Sequence, residues 1–188
     1  MTQIEIIMKY ELFLMDLDET LTKPVLGRTF PQTVNDRELM PRRDMILEDL
    51  HNLNKKTAVI TNQGGRAWNI FSDVEFNLWI ENFCNVLDID AFFVCYHDTG
   101  KKAQQYPEKI VPGLGGPDLY HEPITGMDLE RRKPGPGMLV QAMDHFSILH
   151  SKTVMIGDRD EDRGAAAAAK VDFIWAWKFF GDPEPSVF

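Results

Sequence analysis

Five short apolar runs punctuate the chain, and between most of them the apolar positions change to helical spacing. The runs are Leu12 to Met15, Thr57 to Thr61, Ala91 to Tyr96, Thr153 to Ile156 and Val171 to Trp175. Each is rich in β-branched, aromatic or other apolar side chains and has the length of a buried strand. Residues 43–54 carry Met45, Ile46, Leu50 and Leu53 at helical spacing, residues 72–87 and 135–149 behave alike, and "EDRGAAAAAK" is strongly helix-forming apart from its glycine. This alternation predicts an α/β fold, a Rossmann-like, doubly wound parallel sheet with helices on both faces. The run Ala165 to Ala169 then reads as a helix whose small face lies close to the sheet. Trp175, Trp177, Phe173, Phe179 and Phe180 near the last strand read as core packing rather than as a platform for stacked bases.

Residues 97–130 break the pattern, being long, irregular and crowded with Pro and Gly. Loops of that length are uncommon in compact domains unless they cover a site or are disordered. Because this one leaves the end of a strand, it is expected to lie over the rim where the other strands end. With 188 residues, 44% hydrophobic and 26% charged, the chain suits one folded domain over residues 1–188. No apolar run approaches the roughly 20 residues that span a bilayer, and the first residues lack a basic start and a cleavage site, so the expected location is the cytoplasm and no membrane contact is expected. Cys84 and Cys95 are too few for a disulfide framework and read as buried thiols. The net charge of −9 disfavours non-specific nucleic-acid binding and suits divalent cations.

Chemistry gathers where the strands end, the place at which open parallel sheets bind ligands. "LFLMDLDETLT" runs straight from apolar residues into Asp16, Asp18 and Glu19. Carboxylates packed that closely repel one another, and a cation between them is expected. The second run delivers Thr61, Asn62 and Gln63; "KTVMIG" delivers Asp158, Arg159, Asp160, Glu161 and Asp162. Taken singly, each has an ordinary explanation as a turn, a helix start or a solvated acidic loop.

Together with "RRKPGPGML" at residues 131–139, the ordered set resembles the haloacid dehalogenase superfamily of phosphohydrolases. The family's motifs are an Asp-x-Asp-x-Thr, a Ser or Thr ending a strand, a Lys, and an acidic pair. Here they fall on Asp16, Asp18 and Thr20, on Thr61, on Lys133, and on Gly157, Asp158 and Asp162. The resemblance implies an Asp16 nucleophile and an aspartyl-phosphate, with Asp18 as general acid and then general base. It implies Mg²⁺ held by Asp16, Asp158 and the backbone carbonyl of Asp18, with Asp162 supporting the metal, Lys133 offsetting phosphate charge and Thr61 bonding a phosphoryl oxygen. Asp18 favours phosphatase over transport ATPase or dehalogenase; transfer to a second hydroxyl, a mutase reaction, uses the same residues.

About 42 positions separate Thr20 from Asn62, enough for a flap and one helix but not for a large cap, so a nearly capless site is expected. "TNQ" with the Arg-Lys-Pro resembles the branch of heptose-bisphosphate and histidinol-phosphate phosphatases and polynucleotide 3′-phosphatase domains. In that branch the residue matching Arg132 helps bind substrate, and Asn62 is a further candidate substrate contact. A small phosphorylated substrate is favoured over a nucleic-acid end; an inactive phosphate-binding or interaction protein on the same scaffold is a further alternative. Some members hold zinc with a Cys-x-His and a Cys-x-Cys, whereas this chain has Cys95 and His97 but Leu129 and Arg131 at the second place. His121 and Asp128 would have to substitute, and no structural zinc is expected. Lys101, Lys102, Arg131 and Arg132 form a candidate cationic entrance, and Arg42 and Arg43 read equally as substrate contacts or as solvated side chains. The oligomeric state is left open by the sequence.

Overall fold

The computed structural model describes residues 1–25, 31–64, 72–96, 118–120 and 131–185; for Asp73 and residues 118–120 it describes the backbone. Strand β1 (Leu12–Met15) lies inside a sheet completed by β4 (Lys56–Asn62), β5 (Ala91–Cys95), β6 (Asp118–Tyr120), β7 (Thr153–Gly157) and β8 (Asp172–Trp175). Their order is β6-β5-β4-β1-β7-β8, and every pairing is parallel. The chain moves from β1 out to β6 and then returns to β7 on the other side of β1. That reversal opens a crevice beyond the carboxyl ends of β1 and β7, directly in front of Asp16 and Asp158.

Alternate residues of each strand feed two separate cores, as the period of two in a strand requires. Phe13, Met15, Val59, Phe92, Val94, Val154 and Ile156 face one side. There they meet α1 (Gln3–Lys9), α2 (Arg43–Asn52), α3 (Asp73–Leu87) and α6 (Ala176–Phe180) through Ile6, Ile46, Leu50, Phe76, Ile80 and Phe179. Leu12, Leu14, Ala58, Ile60, Phe93 and Met155 face the other side against α4 (Gly137–Phe146) and α5 (Asp160–Ala169). Ala165, Ala166 and Ala169 are buried and Ala167 and Ala168 exposed, so α5 does lie on the sheet by a small face.

The five expected strands are present, with ends shifted by a residue or so. The N-terminal helix was not expected; Thr2 and Glu5 close a capping box around it. β6 emerges inside the segment read as irregular, while residues 97–117 and 121–130 lie outside the described residues, and with them His97, Lys101, Lys102, His121, Asp128 and Leu129. Among the described residues between Thr20 and Asn62 stand an antiparallel pair, β2 (Thr22–Lys23) with β3 (Glu38–Leu39), and one helix, α2, which matches the expected flap and one helix.

Two expectations need correction. The core stripe of α2 is Arg43, Ile46, Leu47 and Leu50, while Met45 and Leu53 are exposed. Arg43 is neither solvated nor a substrate contact. It is fully buried, donates from Nε to the Thr20 carbonyl at 2.9 Å and from Nη1 to the Pro41 carbonyl at 3.0 Å, forks Asp182 at 2.9 and 2.6 Å, and lies over the Phe180 ring. Phe179 and Phe180 are buried core, as expected, although they belong to α6 rather than to the last strand. Cys84 and Cys95 are buried thiols and are not joined in a disulfide.

Candidate active site

The ends of β1 and β7 and the start of α5 each deliver one acid to the crevice. Asp16 follows β1, Asp158 follows β7, and Asp162 stands in the first turn of α5, where its Oδ2 accepts from the Arg159 backbone N–H at 3.1 Å. Gly157 permits this approach, since a Cβ at that position would collide with the Asp162 carboxylate. Carboxylate oxygens of Asp16, Asp158 and Asp162 lie within 4.8 Å of one another.

Lys133 enters from the segment before α4 and is buried to 4% exposure. Its ammonium donates to Asp16 Oδ1 at 2.6 Å, to Asp162 Oδ1 at 2.6 Å and to the Ile60 carbonyl at 2.8 Å, which uses all three of its hydrogens. Burial alone would push this amine down, but the two carboxylates outweigh it and hold its pKa above the ordinary lysine value. Lys133 therefore stays charged. The carboxyls respond the other way: burial raises Asp16 well above the ordinary range, the charges of Asp162 and Asp158 add to the rise, and Lys133 opposes it. Asp158 is raised by burial and by Asp162, against the pull of Arg159. Three carboxyl groups converge on one buried ammonium, with Arg159 reaching Asp158 at 3.5 Å, and the donor set is entirely oxygen. That combination fits a hard divalent cation.

Thr20 is buried and donates from Oγ1 to Asp158 Oδ1 at 3.1 Å. Glu19, between it and Asp18, has φ 66°, a left-handed conformation that costs a non-glycine residue about 1 kcal/mol or more, and its N–H is tied to the Thr22 carbonyl at 2.6 Å. The tight turn lets Asp16, Asp18 and Thr20 point from one short loop.

Asp18 is gripped by Arg37 and Gln63, which the sequence reading did not assign to the site, and Thr22 adds a longer bond from Oγ1 to Asp18 Oδ1 at 3.4 Å. Arg37, just before β3, donates from Nε to Asp18 Oδ1 at 2.8 Å and from Nη2 to Oδ2 at 3.3 Å. Gln63 donates from Nε2 to Asp18 Oδ2 at 2.9 Å and to Thr61 Oγ1 at 2.9 Å, while its Oε1 accepts from Arg37 Nη2 at 2.9 Å. Gln63 was legible as a strand-end polar residue beside Thr61; nothing in the local pattern pointed to Arg37.

Asn62 is engaged with the Lys133 backbone, donating from Nδ2 to its carbonyl at 3.0 Å and accepting its N–H on Oδ1 at 3.1 Å. The amide thereby splices β4 to the segment that carries the ammonium. Arg131 does not stand free at the entrance: Nη1 donates to Gln141 Oε1 at 2.5 Å and the guanidinium reaches the Val94 carbonyl at 3.4 Å. Arg132 is half-buried beside Lys133. No helix among the described residues is long and apolar enough to cross a membrane.

A family model described as polynucleotide kinase 3 phosphatase matches residues 11–181. The chain is 27% identical over 168 residues to the D-glycero-alpha-D-manno-heptose-1,7-bisphosphate 7-phosphatase of Photorhabdus laumondii, covering 87% of this chain and 80% of the relative. It is 32% identical over 118 residues to the D-glycero-beta-D-manno-heptose-1,7-bisphosphate 7-phosphatase of Vibrio cholerae, covering 60% of this chain and 53% of that relative. Among solved structures, D,D-heptose 1,7-bisphosphate phosphatase from B. bronchiseptica, complexed with magnesium and phosphate, shares the fold at TM-score 0.64 and 18% identity, over 87% of this chain and 78% of that one.

Proposed function

The chain belongs to the polynucleotide kinase 3 phosphatase family, within the haloacid dehalogenase superfamily, and from that premise we propose that residues 1–188 form a single Mg²⁺-dependent phosphomonoesterase domain acting through an aspartyl-phosphate on Asp16. The observation that carries the reading is the buried Lys133 ammonium shared between Asp16 and Asp162, with Asp158 converging on the same point. Lys133 occupies Asp16 Oδ1, and attack is assigned to Oδ2. That oxygen bonds to phosphorus as the bond to the substrate's ester oxygen breaks, and Asp18 delivers the proton that the departing alkoxide needs. Asp18, now ionised, takes a proton from water; the resulting nucleophile attacks phosphorus, and the bond to Asp16 breaks to release phosphate and restore the carboxylate. Thr61 and Lys133 offset charge on the transferring group. Asp16, Asp158 and the Asp18 carbonyl, supported by Asp162, would hold Mg²⁺, which when bound relieves the repulsion between the nucleophile and a phosphate dianion.

The substrate we propose is a small phosphorylated metabolite, met by Arg132 and by the remaining amide hydrogen of Asn62. The named relatives act on sugar bisphosphates, and a chain with net charge −9 is poorly suited to a polyanionic strand. The description of the matching family favours a second reading, removal of 3′-phosphates from nucleic-acid ends. A panel of sugar phosphates, sugar bisphosphates, amino-alcohol phosphates and 3′-phosphorylated oligonucleotides, assayed across a salt series, separates the two. Strong activity on the small esters with little salt dependence is expected. Efficient turnover of the oligonucleotide that collapses steeply with salt, through counterion release, hands the function to the second reading. Absence of turnover even on para-nitrophenyl phosphate with Mg²⁺ would mean a binding protein on this scaffold.

A further inference from the structure

Arg37 is an expensive residue for a flap to carry. Its side chain is 2% exposed, so the guanidinium has given up almost all of its water, while its partner Asp18 keeps 22% of its side chain open. Burying an ion costs several kcal/mol before pairing returns any of it. The return is spent on geometry: Nε and Nη2 span both oxygens of Asp18, Nη1 reaches the Val34 carbonyl at 3.3 Å, and the planar group lies over Phe76 and Trp79 at 5.6 and 5.2 Å. The rings fix the plane of the guanidinium and the guanidinium fixes the plane of the carboxylate. Gln63 completes the ring of bonds and carries it on to Thr61.

We infer that Arg37 is a positioning residue for the leaving-group step, acting through Asp18 and seconded by Gln63; this rests on the phosphatase reading above. Arg37 touches no reacting atom. It holds the Asp18 carboxyl, which stays 22% exposed, in one orientation, and it ties that orientation to the flap that carries β2 and β3. A purely structural Arg37, pinning the flap to α3, would make every substrate suffer alike when removed. A positioning Arg37 makes the loss depend on how much the departing oxygen needs its proton.

The test is the kinetics of Arg37→Met, Arg37→Lys, Asp18→Asn and the double variant Arg37→Met/Asp18→Asn on an alkyl phosphate and on para-nitrophenyl phosphate, with melting temperatures recorded for each. Arg37→Met is expected to lower kcat on the alkyl ester by about 10²-fold, the scale of a misplaced catalytic group, and several-fold less on the aryl ester. Arg37→Lys, which keeps the charge and loses the fork, is expected to restore only part. In the Asp18→Asn background the second substitution should add almost nothing. Should Arg37→Met fail to fold, Gln63→Leu carries the same expectation at smaller size. Equal losses on both esters, or a full further loss on top of Asp18→Asn, overturn the inference alone. An Asp18→Asn variant with no leaving-group dependence overturns the phosphatase assignment of Asp18 and this inference with it.

Discussion

Adding Mg²⁺ to the metal-free protein should raise its melting temperature, and the size and pH dependence of the rise follow from the carboxylates. Asp16, Asp158 and Asp162 converge within 4.8 Å, with the Lys133 ammonium between Asp16 and Asp162. At a cation concentration a hundredfold above its dissociation constant, linkage gives about 2.7 kcal/mol of stabilisation. For a chain of this size each kcal/mol shifts the melting point by roughly 2–4 °C, so the expected rise is about 5–11 °C. The pH dependence follows from proton counting. Burial raises the folded-state pKa of Asp16 and Asp158, so between the ordinary carboxylate range and those raised values the folded protein binds more protons than the unfolded one. Without metal, stability therefore falls as pH rises through that window. With metal the trend reverses, because protons and cation compete for the same oxygens and the cation wins as pH rises. Differential scanning fluorimetry with EDTA or with Mg²⁺, from acid to neutral pH, reads both curves. Asp158→Asn should stabilise the metal-free protein at neutral pH by removing one repelling charge and should shrink the Mg²⁺ shift. No shift at saturating Mg²⁺, or an unchanged shift in Asp158→Asn, would refute the reasoning.

Asp16→Asn should abolish turnover, and EDTA should do so reversibly; near wild-type rates in the variant would remove the nucleophile assignment. Arg43→Ala should cost about 3–5 kcal/mol in urea unfolding, because it strands Asp182 and the Thr20 carbonyl, and a loss under 1 kcal/mol would show that the fork to Asp182 is idle. Cys84, whose thiol burial pushes far above its ordinary pKa, should resist iodoacetamide in the native protein and react on unfolding; fast native labelling would contradict the packing of α3. Elemental analysis should find no stoichiometric zinc, and one zinc per chain lost in Cys95→Ser would reverse that expectation.

The fold was legible wherever periodicity reported burial. β1 reads "LFLM" and all four of its residues are buried, because a strand covered on both faces has no polar side to reveal. α2 shows the limit. Its core face falls at positions 43, 46, 47 and 50, a sound helical stripe, but the first of those is an arginine, so a hydrophobic count shifted the stripe onto Met45 and Leu53. Tertiary partners, the Thr20 carbonyl together with Asp182 and Phe180 from the far end of the chain, make a buried arginine tolerable there. α1 escaped for another reason: at seven residues it is too short to display a period, and its capping box is the stronger signal.

In the site, the difference between what could and could not be read lies in how each residue arrives. Asp16, Thr61 and Asp158 sit at strand ends, so a correct sheet places them on one rim without further information. Lys133 arrives from a loop, and no periodicity could bring it to Asp16; the family pattern supplied it, and Asn62 with the buried Ile60 carbonyl explains physically how it is held. Arg37 had neither route. It lies in an irregular stretch, belongs to none of the family motifs recognised in the chain, and its importance consists entirely of contacts with Asp18, Gln63, Phe76 and Trp79, which lie 19 to 42 positions away and come from three different elements or loops. A charged residue in such a stretch reads as solvated by default. What contradicts that default here is desolvation: a guanidinium this deeply buried, forked onto a carboxylate that stays partly exposed, is held by the fold for the sake of the carboxylate's orientation.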